Sequence, residues 1–204
     1  METSLGMDSN SKHLNLHFKK KFEHHSDVQL KLRGVLDTVT AQGRFHAGLH
    51  KVLRLGKTPL FSPNSVYQPD TRVQLGLGAK ATTESDELLF SLGAKKRFVL
   101  QERTEIIRNR INLLGYTELV LRAGYDYNPR LERWAGEASV QGTHSIFGFT
   151  EGQDLRVSAG YRARFTPTGV TSQEPFLKIR ENNWGLQTNF KRGGRKDWLL
   201  TYDL

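Results

Sequence analysis

The sequence predicts an all-β fold, a single closed antiparallel transmembrane β-barrel of about twelve strands with short turns and a basic lumen. Apolar and polar residues alternate along most of the chain, which is the pattern of strands with two unlike faces. Long basic side chains and glycines share the polar faces, and aromatic residues fall near the ends of the apolar faces. One domain over residues 1–204 is expected for a chain of this length.

The first half of the chain predicts five strands. These are Lys12–Phe22, Val28–Leu36, Gly43–Arg54, Arg72–Lys80 and Glu87–Leu100. The break at Gly56–Pro69 contains three prolines, which cannot donate to a sheet ladder, so this segment is predicted to be a loop. Thr104–Leu113 fits either a strand or a short helix, and its strand neighbours favour a strand.

The second half of the chain predicts six further strands. They are Tyr116–Tyr127, Leu131–Phe149, Asp154–Phe165, Pro175–Arg180, Trp184–Phe190 and a terminal strand that carries Trp198, Leu200, Tyr202 and Leu204 on one face. Turn signals stand at Asn128-Pro129, Glu181–Asn183 and Gly193-Gly194. Alternation in Leu131–Phe149 is irregular, so the pattern does not assign its two faces.

Composition alone suggests a polar soluble protein, because hydrophobic residues make up 37% of the chain and its mean hydropathy is −0.54. A membrane barrel hides this signal, since only every second residue of a strand faces lipid. No apolar stretch reaches the roughly 18 residues that a transmembrane helix needs. The N-terminal segment has no basic region followed by an apolar one, so no secretory signal is expected.

Alternating strands can close with their apolar faces inward, as a soluble barrel, or outward, as a membrane barrel. Glycine weakens an exposed strand face but fits between long arginines where space is limited, as in a narrow lumen. The glycines in question are Gly76, Gly78, Gly93, Gly124 and Gly160. Aromatic residues near strand ends match the interfacial girdles of membrane barrels. These are Phe18, Phe22, Phe98, Tyr125, Tyr127, Phe165, Trp184, Phe190, Trp198 and Tyr202.

The charge balance predicts an anionic partner, because 30 Lys and Arg residues oppose 21 Asp and Glu residues. Basic side chains inside a low-dielectric tube concentrate anions, and arginine binds phosphate oxygens in a planar fork. The candidate anion-binding residues of the lumen are Lys19, Lys31, Arg33, Arg44, Arg54, Arg72, Lys95, Arg97, Arg122, Arg156, Arg162, Arg164, Lys178 and Arg180. Acidic residues on these faces are expected to be few, namely Asp37, Glu118, Asp126 and Asp154. An ordinary solvated basic face is the alternative.

Sites for metals, phosphate loops and catalysis find little support. There is no cysteine, and the pairs His13/His17 and His46/His50 lie about 13 Å apart along a strand, too far for one metal. Gly76–Lys80 lacks the spacing and the strand–loop–helix context of a phosphate loop. No catalytic set of side chains stands out, so we expect no metal, no cofactor and no enzyme.

Two soluble functions compete with a pore at this point. A β-rich basic protein could bind nucleic acid or another polyanion, which favours aromatic and basic residues on one face. Here the two kinds of residue mostly occupy opposite faces, which argues against nucleic acid. A lipocalin-like carrier would need apolar residues that point into its cavity.

Several motifs resemble one known family, the small anion-selective pores of the chloroplast outer envelope. They are METSL at Met1–Leu5, GVLDT at Gly34–Thr38, DLRVSAGY at Asp154–Tyr161, KIRENNW at Lys178–Trp184 and TYDL at Thr201–Leu204. The resemblance covers roughly the first forty and the last fifty residues. The C-terminal motifs are the most specific, because KIRENNW is followed after a short interval by a strand that begins with tryptophan.

The resemblance implies a β-barrel channel that passes triose phosphates, phosphoglycerate and phosphate, with ATP binding in the pore as a modulator. It also implies insertion into the outer envelope of plastids without a cleaved transit peptide. The partners expected on this basis are anionic metabolites, nucleotides and the lipid bilayer, with no nucleic acid. Whether such pores associate into homo-oligomers is left open by the sequence.

Overall fold

The fold is known from a computed structural model, which describes residues 2–9, 12–57, 69–83, 87–102, 114–150, 153–191 and 196–204. Of residues 101, 102, 114 and 150 only the backbone is described. The predicted strand at Thr104–Leu113 and the turn at Gly193-Gly194 lie outside these ranges, as does most of the predicted loop Gly56–Pro69. No helix in the described part of the chain is long and apolar enough to cross a bilayer.

The described residues form twelve strands in chain order. They are β1 Glu2–Asp8, β2 Leu14–Glu23, β3 Val28–Asp37, β4 Gly43–Leu55, β5 Val73–Thr82, β6 Glu87–Glu102, β7 Leu114–Asn128, β8 Arg133–Thr150, β9 Gln153–Thr166, β10 Gly169–Glu181, β11 Trp184–Phe190 and β12 Lys196–Asp203. The predicted barrel of about twelve strands is confirmed.

The sheet closes on itself, because each strand pairs antiparallel with its chain neighbours and β1 pairs with β12. A closed barrel leaves no sheet edge, so its backbone groups find partners within the wall, as a hydrocarbon surrounding requires. The end at which β1 starts and β12 ends is called the termini rim. The turns 24–27 and 182–183 lie at the termini rim, and the turns 38–42, 129–132 and 167–168 lie at the opposite turn rim.

Two strands depart from the sequence prediction. The prediction missed β1, whose apolar residues Leu5 and Met7 alternate over too short a run to stand out. It also began a strand at Pro175, whereas β10 begins at Gly169 and runs through that proline, which lies opposite Tyr161. A proline lowers the strand signal but does not prevent pairing on the neighbouring residues.

The apolar faces of the strands point outward. Leu77 is 64% exposed, Leu92 53% and Leu49 53%, although each belongs to a regular strand in the middle of the wall. An apolar surface of this extent is stable only against hydrocarbon or a partner surface. The aromatic residues named above lie on the same outward face, and Trp134 joins them between Tyr125 and Phe165, at ring distances of 5.4 and 6.3 Å.

The inward face is polar, and the barrel has no ordinary apolar core. Within the described residues only Val52, Tyr116, Val120 and Phe176 are buried hydrophobic residues, and all four belong to inward rows. The soluble barrel and the lipocalin-like carrier both need the opposite arrangement, with apolar rows inside. The orientation predicted for a membrane barrel is therefore confirmed.

Candidate permeation pathway

The strand registers place the predicted basic residues on one side of the wall. Side chains of directly opposed residues in a sheet point to the same face. The rows that contain Lys31, Lys95 and Arg122 line an internal cavity, so residues opposed to them also face the lumen. By this criterion every candidate lies on an inward row except Arg72, which directly precedes β5 and is hydrogen-bonded to Asp70.

Like charges oppose one another directly at four places on the inward face. The pairs are Lys19 with Arg33, Lys21 with Lys31, Lys95 with Arg122, and Arg156 with Arg180. Opposed side chains in a sheet have their Cβ atoms about 5 Å apart, and like charges at this distance destabilise the pair. Three of the pairs include a cation that also has a carboxylate partner, namely Lys19, Lys21 and Arg180, whereas Lys95 and Arg122 have none among the described residues, so their mutual repulsion is not offset by an ion pair there.

A cavity of about 660 Å³ opens inside the β3–β7 half of the lumen. Four of its lining cations, Lys31, Arg33, Lys95 and Arg122, have no carboxylate within salt-bridge distance among the described residues, and we call them the cation cluster. Within the described part of the chain, the hydrogen-bond acceptor of Arg122 is the amide oxygen of Gln141, at 3.3 Å. The cavity also contains Asp126, but both of its oxygens accept from Lys80, at 2.7 and 3.0 Å.

A row of three glycines forms part of the cavity wall. Gly76, Gly93 and Gly124 oppose one another across β5, β6 and β7. A Cβ added to any of them would meet nothing closer than 3.8 Å, so the expectation that these glycines relieve local crowding is wrong. They widen the cavity instead. Crowding does apply to Gly78, where a Cβ would lie 2.0 Å from the carbonyl oxygen of Leu49.

More carboxylates face the lumen than the sequence analysis expected. Acidic residues of other strands, and Glu23 of β2 itself, form ion pairs with the basic residues of the inward face. These pairs are Lys19–Glu2 at 2.9 Å, Lys21–Glu23 at 2.9 Å, Arg97–Glu118 at 3.3 Å, and Arg180–Asp203. The expected tally of four acidic residues was therefore too low, because pairing depends on which strands become neighbours.

Arg54 is enclosed by carboxylates at the termini rim. It pairs with Glu23 at 2.8 Å, with Asp70 at 3.4 Å, and with Asp27 of the β2–β3 turn. Arg72 also pairs with Asp70, and its hydrogen bond lowers the pKa of the Asp70 carboxyl to about 2. The positive charge of Arg54 is thus compensated in the folded barrel.

The β8–β10 side of the lumen is built around one shared carboxylate. Glu137 pairs with Arg162 at 3.4 Å and with Arg164 at 3.2 Å. The guanidinium of Arg162 also lies over the ring of Phe176, at 5.6 Å from its centroid. This inward aromatic residue was not predicted, and it covers Gly160, where a Cβ would lie 2.5 Å from the ring.

The histidines singled out by the sequence analysis take separate positions. His46 and His50 line the cavity, and His50 is hydrogen-bonded to Ser91 at 3.1 Å. His13 pairs with Asp37 at 3.1 Å, and the ring of His17 lies over Gly6. Within the described ranges no group of three metal-ligating side chains comes together.

Comparison with known families gives a match over nearly the whole chain. The family model described as "Chloroplast outer envelope pore protein OEP21" matches residues 3–204. Outer envelope pore protein 21 of Pisum sativum is 28% identical over 213 aligned positions, and outer envelope pore protein 21A of Arabidopsis thaliana is 26% identical over 204. Both alignments cover 100% of this chain and of the relative.

Solved structures of similar fold include porins. The KdgM porin aligns with a TM-score of 0.52 at 7% identity and covers 100% of this chain and 98% of its own. A KdgM porin in complex with disordered oligogalacturonate gives the same score and identity, with coverage of 99% and 96%. At this identity the likeness shows the barrel fold alone.

Proposed function

Because this chain belongs to the chloroplast outer envelope pore protein OEP21 family, we propose that its barrel is an anion-selective channel for phosphorylated metabolites. Its relatives are named as pores of the chloroplast outer envelope, so a channel in that membrane is the established part. Selectivity, substrates and modulation by nucleotide are the proposed part.

The observation that carries the proposal is the set of opposed cation pairs on the inward face. Lys95 and Arg122 oppose each other directly, and neither has a carboxylate within salt-bridge distance among the described residues, whereas in the opposed pair Arg156 and Arg180 only Arg180 has such a partner there, Asp203. An anion that passes between such pairs relieves the repulsion, whereas a cation increases it. The lumen therefore favours anions, because their passage offsets a repulsion between cations that the folded barrel retains.

Within this lumen we assign the main anion-binding role to the cation cluster. Its members line one cavity and lack carboxylate partners in the described part of the chain. Arg156 and Lys178, which likewise show no carboxylate partner there, extend the positive path along β9 and β10. Lys19, Arg54, Arg72, Arg97, Arg162, Arg164 and Arg180 act through the ion pairs that position them, and Arg44 contributes at the turn rim.

The substrate class follows from the chemistry and size of the site. Arginine and lysine together suit the oxygens of phosphate and carboxylate groups. A cavity of about 660 Å³ lies within the usual range for small-molecule sites. Triose phosphates, phosphoglycerate and inorganic phosphate are the proposed cargo, and a nucleotide such as ATP, with several phosphate groups, is proposed to occupy the same cavity and slow their passage.

Reconstituted single channels in a planar bilayer test this function. With a salt gradient across the bilayer, the reversal potential is expected to show preference for chloride over potassium. Phosphoglycerate is expected to carry current when it replaces chloride, and ATP added in the bath is expected to reduce the current. A reversal potential of the opposite sign would refute anion selectivity, and undiminished current in ATP would remove the modulation.

A further inference from the structure

Three lysines interrupt the outward apolar face of the barrel. The outward faces of β2, β4 and β6 are otherwise apolar, with residues such as Phe22, Leu49 and Phe98, but each carries one lysine: Lys20 on β2, Lys51 on β4 and Lys96 on β6. They stand on alternate strands of one side of the wall, and each lies in the half of its strand nearer the termini rim. Among the described strands, the only other outward lysine is Lys196, at the turn-rim start of β12.

The three ammonium groups all extend toward the termini rim. Lys20 places its Nζ 5.3 Å from the ring centroid of Phe22, and Lys96 places its Nζ 5.4 Å from that of Phe98. Each of these rings lies two residues nearer the termini rim on the same strand. Lys51 donates to the backbone carbonyl of Ser26, in the turn at that rim. Because the ammonium groups of three separate strands all point toward the termini rim, we infer that they share an environment near that rim.

That environment is the boundary between hydrocarbon and headgroups. A lysine on the lipid face is costly at the bilayer midplane and nearly free near the interface. A long lysine stem lets the charge reach the headgroup layer while its methylenes stay in the apolar region. Aromatic residues that flank such lysines are typical of the same layer.

We propose that Lys20, Lys51 and Lys96 form a lipid belt that binds the anionic headgroups of the leaflet at the termini rim. The ligand is an anionic lipid with a phosphate headgroup, which each ammonium contacts from the outer wall. This belt is separate from the permeation pathway, since its residues occupy the face opposite to the cation cluster. It fixes the height of the barrel in the bilayer and gives one side of its wall a preferred lipid.

A groove on the same side of the wall supplies a place for an acyl chain. It has a volume of about 460 Å³, and its apolar lining consists of Phe18, Leu32, Phe45, Ala47, Ala81 and Leu88. The polar or charged residues Arg33, His46, Thr82, Thr83 and Glu87 complete its lining. Leu32 lies directly opposite Lys20, and the small side chains of Ala47 and Ala81 continue the same row. A lipid whose headgroup contacts Lys20 can therefore lay a chain along this row, which gives the belt more than a diffuse charge attraction.

Lipid selectivity of the reconstituted barrel tests the belt. The wild-type protein is placed in phosphatidylcholine vesicles that contain a minor fraction of spin-labelled phosphatidylglycerol or spin-labelled phosphatidylcholine, and the motionally restricted fraction of each is measured. Wild type is expected to retain phosphatidylglycerol several-fold over phosphatidylcholine, since each lysine near an anionic headgroup contributes a factor of about five. The triple variant K20Q/K51Q/K96Q is expected to lose this preference.

A charge-matched control separates the belt from the pore. The variant K31Q/K95Q/R122Q removes three charges from the inward face and is expected to keep the lipid preference while losing anion selectivity. The belt variant is expected to show the reverse. Circular dichroism and heat-dependent gel migration confirm that both variants keep the barrel. If the belt variant does not fold, the single variants K20Q, K51Q and K96Q replace it, and each is expected to lower the preference for phosphatidylglycerol.

Free phosphate is the competing source of the same chemistry. Inorganic phosphate added to the vesicles is expected to leave the restricted phosphatidylglycerol fraction unchanged, because a lipid headgroup is held by its acyl chains as well. Displacement by inorganic phosphate, or equal retention of both lipids by wild type, overturns the belt. Neither result bears on ion selectivity, so the belt can fail while the proposed channel stands.

Discussion

Along β3–β7 the four residues of the cation cluster have no carboxylate partner among the described residues and line an open cavity, whereas on β9 Arg162 and Arg164 share Glu137 of β8, and Arg162 lies over Phe176 of β10. Both regions use the same residue types on the same face of the same barrel. Their neighbours differ: three glycines oppose one another beside the cation cluster, and the row that they form continues into Glu137 on β8 and Arg164 on β9, with the ring of Phe176 beside Arg162.

From this difference we infer that the unpaired cations bind anions, whereas the paired arginines hold the shape of the lumen. A paired arginine has most of its charge satisfied within the protein, so it offers a passing anion less than an unpaired one does. An ion pair exposed to water contributes little to stability, but it holds long side chains in place along a narrow passage. We therefore expect the open half to set selectivity and the paired half to set the shape of the lumen.

The largest effect is expected when the cation cluster is removed. The variant K31Q/K95Q/R122Q should lower the permeability ratio of chloride to potassium by at least about tenfold, because a focused cationic field raises local anion concentration by this order or more. Reversal potentials in a salt gradient measure the ratio.

The paired half supplies the control for this comparison. The variant R162Q/R164Q/E137Q removes the ion pairs of that half and changes the net charge by only one unit. Its permeability ratio should stay within about twofold of wild type. A loss as large as that of the cluster variant would show that the two halves contribute equally.

The division into halves could not have been predicted from the sequence. Alternation identified most strands and the face of each basic residue, since a side-chain period of two is a local property. Which carboxylate meets which arginine depends on register between strands, so the sequence did not show that Glu137 meets Arg162 and Arg164. The faces of β8 were hidden because Ser139, Gln141 and Thr143 on the inward side differ little in polarity from Gly136, Gly142 and His144 on the outward side.

A smaller effect of opposite sign is expected when the paired half is opened. In the variant E137Q, Arg162 and Arg164 lose their shared carboxylate and become available to passing anions. The chloride-to-potassium ratio should rise, by about twofold, and not fall. The same bilayer measurement applies, and D126N, which frees Lys80 inside the cavity, should give a rise in the open half for comparison.

The glycine row permits a test of cavity width without a change of charge. The variant G76A/G93A/G124A should fold, because each added Cβ enters open space, and should lower single-channel conductance by tens of per cent through a narrower cavity. Its selectivity should stay as in wild type. The control G78A should destabilise the barrel, since its Cβ would lie 2.0 Å from the Leu49 carbonyl oxygen.

The smallest effect concerns the termini rim beside the open half, where Arg54 and Arg72 form ion pairs with Asp70. The pKa of Asp70 is lowered to about 2 by its hydrogen bond from Arg72, while an unfolded aspartate titrates near 4. The stabilisation is therefore fully present above about pH 4 and is lost as the pH falls toward 2.

Heat denaturation in detergent should reveal this as a drop in stability on the order of 1 kcal/mol across that acid range, since the pair is partly exposed. The variant D70N should be less stable than wild type at neutral pH and should lack that share of the acid response. If wild type and D70N lose the same stability as the pH falls, the ion pairs of Asp70 with Arg72 and Arg54 do not stabilise the barrel. A smaller acid response of D70N confirms that Asp70 stabilises the barrel by compensating the charges of Arg54 and Arg72 at the termini rim.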